Sequence, residues 1–394
     1  MTDARVYLDH NATTTTRPAV ITAMAETLAA TGNPSSVHAE GRAKRALVEE
    51  ARRSVAKLVG ADAACVTFTS GGTEASNLAL SPSIRDAEDP RPVTRLVVSA
   101  VEHPAVMVGW RFARPEVDRI SVDRDGVVDL GEIEYVFARH QEEHPGERMM
   151  LALMLANNET GVIQPVAKAV AIAKRYGGLV HVDAVQAAGK ISVDLRALGA
   201  DFMAIAAHKF GGPAGAGALI RAHDALHIEE PVIRGGGQEK GQRGGTENVA
   251  GVVGMGVAAD EALAGLDAFA ALTQDRDALE AGLRRVSGDV AIFGEGAARL
   301  PNTSCFAVPG MAAANAMIAL DLAGIAVSSG SACSSGKSKA SPVLDAMGVA
   351  HDLSSGMLRV SFGWSSRKSD GDAFLSAWER IVSRRKPGAI VTAA

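Results

Sequence analysis

PVAKAVAIAKRYGGLVHVDAVQAAGK, residues 165–190, falls into three pieces. The first, 165–177, carries apolar residues at helical spacing and stops at a glycine. The second, LVHVD (179–183), is a mainly apolar run too short for a helix and predicts a buried strand. The third turns polar at Asp183 and Gln186, where a new helix could have started blandly. The same order recurs through the first two-thirds of the chain. CVTFT (65–69), RLVVS (95–99), MMLALML (149–155) and FMAIA (202–206) are further short apolar runs, most of them separated by helical patterns. This alternation predicts an α/β fold with a mainly parallel sheet covered by helices on both faces.

Upstream, RPAVITAMAETLAAT predicts a helix opened by Pro18. After GNPSS, where Ser35 or Ser36 can cap, VHAEGRAKRALVEEARRSVAKLVG predicts a second helix stopping at Gly60. Beyond about Gly256 the pattern changes. A long Ala/Leu helix is expected near 257–286, then strand-like NTSCFAV, IAVSS and MLRVSF, then a closing helix near 370–384. These pieces predict a second, smaller α+β unit.

The chain has 394 residues, 47% of them apolar and only 4% aromatic, so small aliphatic residues must fill a large core. Net charge is −5 with acids and bases interspersed, which argues against nucleic acid as a partner. The basic run Arg384-Arg385-Lys386 reads as a solvated helix end. Three cysteines, an odd count, exclude a disulfide framework and suggest a reducing compartment. The start, MTDARVYLDHN, lacks an apolar signal core. No apolar run approaches the roughly 20 residues of a membrane span. A cytoplasmic protein with no membrane association is expected.

In open α/β sheets ligands bind beyond the carboxyl ends of the strands. SGGTEA follows CVTFT, so Gly72 and Thr73 place free N–H groups and a hydroxyl at a helix start, suited either to an anion or to an ordinary capped turn. Asp183 can pair with a protonated ring nitrogen, bind a metal or cap the next helix, and Gln186 can face the same space. Lys209, entering AHKFGGPAGAG, is either a surface lysine or one that forms a Schiff base with a carbonyl cofactor. His208 beside it is a candidate phosphate contact. His103, in VEHPAV, either stacks on a planar cofactor and shuttles protons or is an ordinary loop histidine. Taken in order, these groups supply what pyridoxal phosphate needs: an amine for its aldehyde, an acid for its pyridinium and an anion site for its phosphate. Cysteine and histidine spacing gives no metal site.

YLDHNATT (7–14), GNPSSVH (32–38), FTSGGTEASNLAL (68–80), EHPAV (102–106), NNETGVIQP (157–165), HVDAVQAAGK (181–190), HKFGGPAGAGAL (208–219), GGGQEKGQRGGTENV (235–249), SSGSACSSG (328–336) and MLRVSFG (357–363) keep a recognisable order along nearly the whole chain. Together they resemble the cysteine desulfurases of the NifS/IscS family, in the class V aminotransferase group of fold-type-I pyridoxal-phosphate enzymes. The resemblance implies a seven-stranded, mainly parallel sheet in a large cofactor domain, 15–256. It implies a small domain, 1–14 and 257–394, carrying a catalytic cysteine loop. It assigns covalent attachment of the cofactor to Lys209, its ring nitrogen to Asp183, its phenolic oxygen to Gln186, and ring stacking with proton transfer to His103. Asn158 would also touch the ring side. Gly72, Thr73 and His208 would hold the phosphate, joined by Thr246 of a second copy in a homodimer. Arg359 would pair with the carboxylate of L-cysteine, with Asn33 a further candidate.

Cys333, in SSGSACSSGKSK (328–339), would then be the nucleophile that takes the substrate's sulfur as a persulfide, leaves alanine, and hands the sulfur to an acceptor or iron–sulfur scaffold protein. A nucleotide-loop reading of that stretch fails, because Gly330 to Gly336 leaves one residue too many for the Walker spacing. Cys65 and Cys305 sit in strand-like contexts and read as core residues. Two departures from the family pattern stand out. Ala206 replaces a serine expected to contact the phosphate, and Lys337 and Lys339 add positive charge after the cysteine, where cations raise the thiolate fraction. Rival readings are a selenocysteine lyase or class V aminotransferase, and a non-catalytic sulfur-relay protein that would keep Cys333 but not need Lys209.

Overall fold

Seven strands form the central sheet of the computed structural model, which describes residues 5–329 and 341–384. They are Val66–Thr69 (β1), Val93–Ser99 (β2), Val117–Ile120 (β3), Arg148–Met154 (β4), Leu179–Asp183 (β5), Phe202–Ala206 (β6) and Gly217–Arg221 (β7). Their spatial order is β1-β7-β6-β5-β4-β2-β3. β7 runs antiparallel to both its neighbours and every other pairing is parallel. Every residue of β4, β5 and β6 is buried, which is why these strands read as apolar runs rather than as alternating patterns. The expected mainly parallel sheet is therefore present. β3 and β7 escape the sequence reading. β3, Val-Asp-Arg-Ile, is a half-buried edge strand, and β7 opens inside the glycine-rich segment after Lys209. Cys65 lies in a one-turn helix just before β1 rather than in the strand.

The principal helices are Pro18–Ala29 (α1), Ala39–Leu58 (α2), Gly72–Ala79 (α3), Leu130–Glu143 (α4), Val166–Arg175 (α5), Val249–Ala264 (α6), Leu272–Ser287 (α7), Ala313–Leu322 (α8) and Lys368–Ser383 (α9). Pro18 opens α1 as expected. α2 is capped by His38, whose Nδ1 accepts the N–H of Gly41, not by Ser35 or Ser36. The backbone N–H groups of those serines fold back onto Asn33, which closes a turn ahead of the helix. The single long helix expected near 257–286 is broken. α6 ends at Gly265, whose N–H closes on Glu261 and Ala262, and α7 departs at 67° to it. α6 adds Ala258, Ala259 and Ala262 to the core of the large sheet. No single helix among the described residues is long and apolar enough to cross a membrane.

A second, antiparallel sheet follows: Ala291–Ile292 (β8), Thr303–Ala307 (β9), Ser328–Ser329 (β10) and Leu358–Ser361 (β11), in order β8-β9-β11-β10. Much of the chain's scarce aromatic content sits beneath it. Phe374 and Trp378 of α9 stack at 5.9 Å, and Phe306 of β9 meets Trp378 edge-on at 5.5 Å. The N-terminal strand Val6–Tyr7 pairs in parallel with Ile325–Ala326, and Leu8 joins this second core. The chain then crosses to the large sheet, where Thr14 N–H bonds the His208 carbonyl and Arg17 N–H that of Gly211. Residues 9–14 are thereby held between the two cores, at the carboxyl ends of β5 and β6.

Candidate active site

Asp183 ends β5 and is buried, with one carboxylate oxygen accepting the Val185 N–H at 2.9 Å. Burial pushes its carboxyl pKa up, while His103 and Lys209 act on it in the opposite direction. His103 stands at the start of a one-turn helix after β2, and its Nδ1 accepts the Ala105 N–H at 3.1 Å. That bond leaves the ring proton on Nε2. Burial lowers the imidazole pKa, Asp183 raises it and Lys209 lowers it. The three groups thus share one electrostatic neighbourhood. Lys209 follows β6, and its Nζ donates to the carbonyls of Asn11 at 2.6 Å and Ala12 at 2.8 Å. Gln186 donates from Nε2 to the same Asn11 carbonyl at 2.8 Å. His208 contacts the Thr13 hydroxyl at 3.3 Å, and burial together with Lys209 and Lys190 lowers its pKa to about 4.

The strand-to-helix junction from β1 to α3 is set by close approach. A Cβ on Gly72 would fall 2.5 Å from Cγ2 of Val185, and one on Gly217 of β7 would fall 2.6 Å from the Gly71 backbone. Glycine at both places lets the start of α3 lie against β7 and against the segment after Asp183. The first N–H groups of α3 are left for an anion, with Thr73 exposed beside them. A Cβ on Gly72 would also stand 3.6 Å from Cβ of Ala206, so the side chain of residue 206 points at this same helix start.

Arg359 on β11 is buried. Its Nη2 meets Asp9 Oδ1 at 2.6 Å, its Nη1 donates to the Asn158 carbonyl at 2.9 Å, and its Nε has no partner. Cys333, Lys337 and Lys339 lie outside the described residues. The flanks of that stretch are informative nonetheless. Ser328 pairs with Arg359 across β10 and β11, and the Ser341 hydroxyl donates to Glu159, next to Asn158. Both flanks of 330–340 therefore reach the Arg359–Asn158–Glu159 corner.

Of the residues singled out from sequence, Asp183, His103, Lys209, Gln186 and His208 are brought together, and Asn158 and Arg359 join them through Asn11. Asn33 is exposed in its turn, and Thr246 is exposed in the loop before α6; among the described residues neither shares a hydrogen bond or ion pair with that group. Cys65 and Cys305 are buried, and burial raises both thiol pKa values, that of Cys305 well above the ordinary range.

Sequence reasoning missed four groups. Asn11 is a hub: its Oδ1 accepts from Lys190 and Asn302, and its Nδ2 donates to Thr303 and to the Asn158 carbonyl. Lys190, Asp9 and Glu102 complete the set. Glu102 is buried, with Oε1 accepting from Ser99 and Met154 and Oε2 unpartnered; burial raises its pKa to about 8. All four stand inside quoted segments, but nothing in their types announced burial.

An amine, a buried acid and a side-chain amide converge here, and an anion-ready helix start lies against the segment following the acid. This donor set fits pyridoxal phosphate. The sequence profile described as Aminotransferase class-V matches residues 6–374. Over 385 residues the chain is 39% identical to the cysteine desulfurase IscS of Dictyoglomus turgidum, covering 96% of this chain and 95% of that one. Over 396 residues it is 39% identical to the IscS-like cysteine desulfurase of Mycobacterium tuberculosis, covering 98% of each. The solved NifS-like protein from Rickettsia africae superposes with a TM-score of 0.85 at 34% identity, covering 96% of this chain and 99% of that one. The chain belongs to the class-V aminotransferase family.

Proposed function

We propose, with that family membership as premise, the following reading: the chain is a cysteine desulfurase that converts L-cysteine to L-alanine and passes the sulfur on as a persulfide of Cys333. The substrate's C–S bond breaks, its sulfur joins the Cys333 thiolate, and the carbon keeps the bonding pair and takes up a proton. Pyridoxal phosphate, when bound, supplies an aldehyde that captures amines and a protonated ring that withdraws electrons. Lys209, Asp183, Gln186, His103, Asn158, Gly72, Thr73 and His208 would hold it, with Thr246 of a second copy completing the phosphate site in a homodimer.

Each side chain has a task that its surroundings support. Asp183 is a buried acceptor suited to a cationic ring N–H. His103, its Nδ1 engaged by the Ala105 N–H, presents Nε2–H to the site as a hydrogen-bond donor. Arg359 has an unpartnered Nε and an Asp9 contact that a substrate carboxylate would rival. Asn33, exposed in its turn, is kept as a second carboxylate contact. The observation that carries the reading is the joint placement of Lys209 with Asp183 and of both flanks of 330–340 with Arg359. The sulfur acceptor would be a scaffold for iron–sulfur or other thio-cofactor assembly, and the setting cytoplasmic, in keeping with unpaired Cys65 and Cys305.

Alanine formed from cysteine in the presence of a chemical reductant tests the reading. The wild-type protein with pyridoxal phosphate should form it, and Cys333→Ala and Lys209→Ala should not. Undiminished alanine from Cys333→Ala would contradict the thiol's role and favour a lyase or aminotransferase.

A further inference from the structure

Lys190 is a lysine at 2% exposure that the proposed chemistry does not use. Its Nζ donates to Gln186 Oε1 at 2.6 Å and to Asn11 Oδ1 at 2.8 Å. Among the described residues it makes no ion pair. The charged groups acting on it, Lys209 and Arg359, are both cations, and it in turn acts on His10 and His208. A lysine so placed costs stability unless its donors do something that an apolar side chain could not.

What they do is fix an amide. Gln186 accepts from Lys190 at Oε1 and donates from Nε2 to the Asn11 carbonyl. Rotating the amide by half a turn would set Nε2–H against the lysine's donors and Oε1 against the Asn11 carbonyl. Both contacts would become repulsive at once. With Oε1 held by Lys190, one N–H of Nε2 goes to Asn11 and the second remains available. Lys190 and Lys209 also line a common cavity with His10, Arg17 and Trp364.

We infer that Lys190 is a positioning residue: it locks the Gln186 side chain so that an amide N–H, not the amide oxygen, faces the phenolic oxygen of pyridoxal phosphate. The inference rests on the cofactor reading above but not on the identity of the substrate.

Lys190→Met keeps the length and removes the donors. Cofactor affinity and the position of the visible absorption band are measured by titrating pyridoxal phosphate into the apo protein, for wild type, Lys190→Met, Gln186→Ala and the double variant. Lys190→Met should weaken binding about tenfold, because the freed amide can then turn its oxygen toward the cofactor's phenolic oxygen and forfeit that hydrogen bond, and should shift the band. In the Gln186→Ala background the same change should alter affinity less than about twofold, because the two residues act as a unit. Wild-type affinity and band in Lys190→Met would overturn the inference. So would an undiminished effect of Lys190→Met once Gln186 is gone, since the lysine would then act without the amide. If Lys190→Met does not fold, Lys190→Leu, which also lacks donors, is read by the same criteria. Alanine production by the wild type is measured alongside. Its absence would sink the desulfurase reading and leave the cofactor comparison, made without substrate, in force.

Discussion

At residue 206 a single methyl stands where a hydroxyl would face the start of α3. Ala206→Ser should add one hydrogen bond to the cofactor phosphate, about 1–2 kcal/mol, and tighten pyridoxal-phosphate binding about fivefold or more in an absorbance titration. Unchanged affinity would mean that residue 206 does not reach the phosphate. Glu102 makes a prediction in pH. Its folded pKa of about 8 stands above the reference value of 4.5. Below the reference value the carboxyl is protonated in both folded and unfolded chains. Between the two values the unfolded chain releases the proton and the folded chain keeps it, so this group's contribution falls as pH rises and is lost above about 8. Glu102→Gln keeps the acceptor for Ser99 and Met154 without titrating. The stability of Glu102→Gln relative to wild type, from urea unfolding, should therefore grow between pH 5.5 and pH 8 at the rate set by one extra bound proton; parallel pH profiles would contradict it.

Among the elements, the junction from β1 to α3 is tightly specified. Gly72→Ala forces a methyl into Val185, an overpacking cost of about 1–3 kcal/mol, and should weaken cofactor binding at the same time. Adding Val185→Ala should restore much of both losses; a double variant no better than Gly72→Ala would show that the strain lies elsewhere. The junctions are also where the sequence was most legible. β4, β5 and β6, buried on both faces, announce themselves as apolar runs, and the polar residues after them fall where parallel strands deliver a ligand. Legibility failed where geometry rather than pattern decides. Half-polar β3 and glycine-led β7 carry little periodic signal. The break at Gly265 sits inside an unbroken helical composition. The cap of α2 falls at His38 because the helix starts only at Ala39, after a turn in which the Ser35 and Ser36 N–H groups close on Asn33. Asn11 and Lys190 were invisible as types, since an asparagine or a lysine reads as solvated until the fold buries it.

Taken whole, the described residues build two main sheets with residues 9–14 strung between them, and Asn11 ties the two sides together. Its side chain satisfies Lys190, Asn302 and Thr303, and its carbonyl holds Lys209 and Gln186. Asn11→Ala leaves those buried side chains short of partners and should cost about 2–4 kcal/mol of unfolding free energy. A loss below about 1 kcal/mol in urea unfolding would mean that the crossing segment is not a structural joint. The same joint brings the Lys209 side of the site to the Arg359 corner, where both flanks of 330–340 arrive. Lys209 and Cys333 are expected to serve one reaction. Peptide mass spectrometry after a single exposure of the pyridoxal-phosphate-loaded protein to L-cysteine tests it most directly. One added sulfur atom should appear on Cys333, and not on Cys65 or Cys305, in the wild type, and none in Lys209→Ala. Sulfur on Cys333 at equal yield without Lys209, or none on Cys333 in the wild type, would contradict the account.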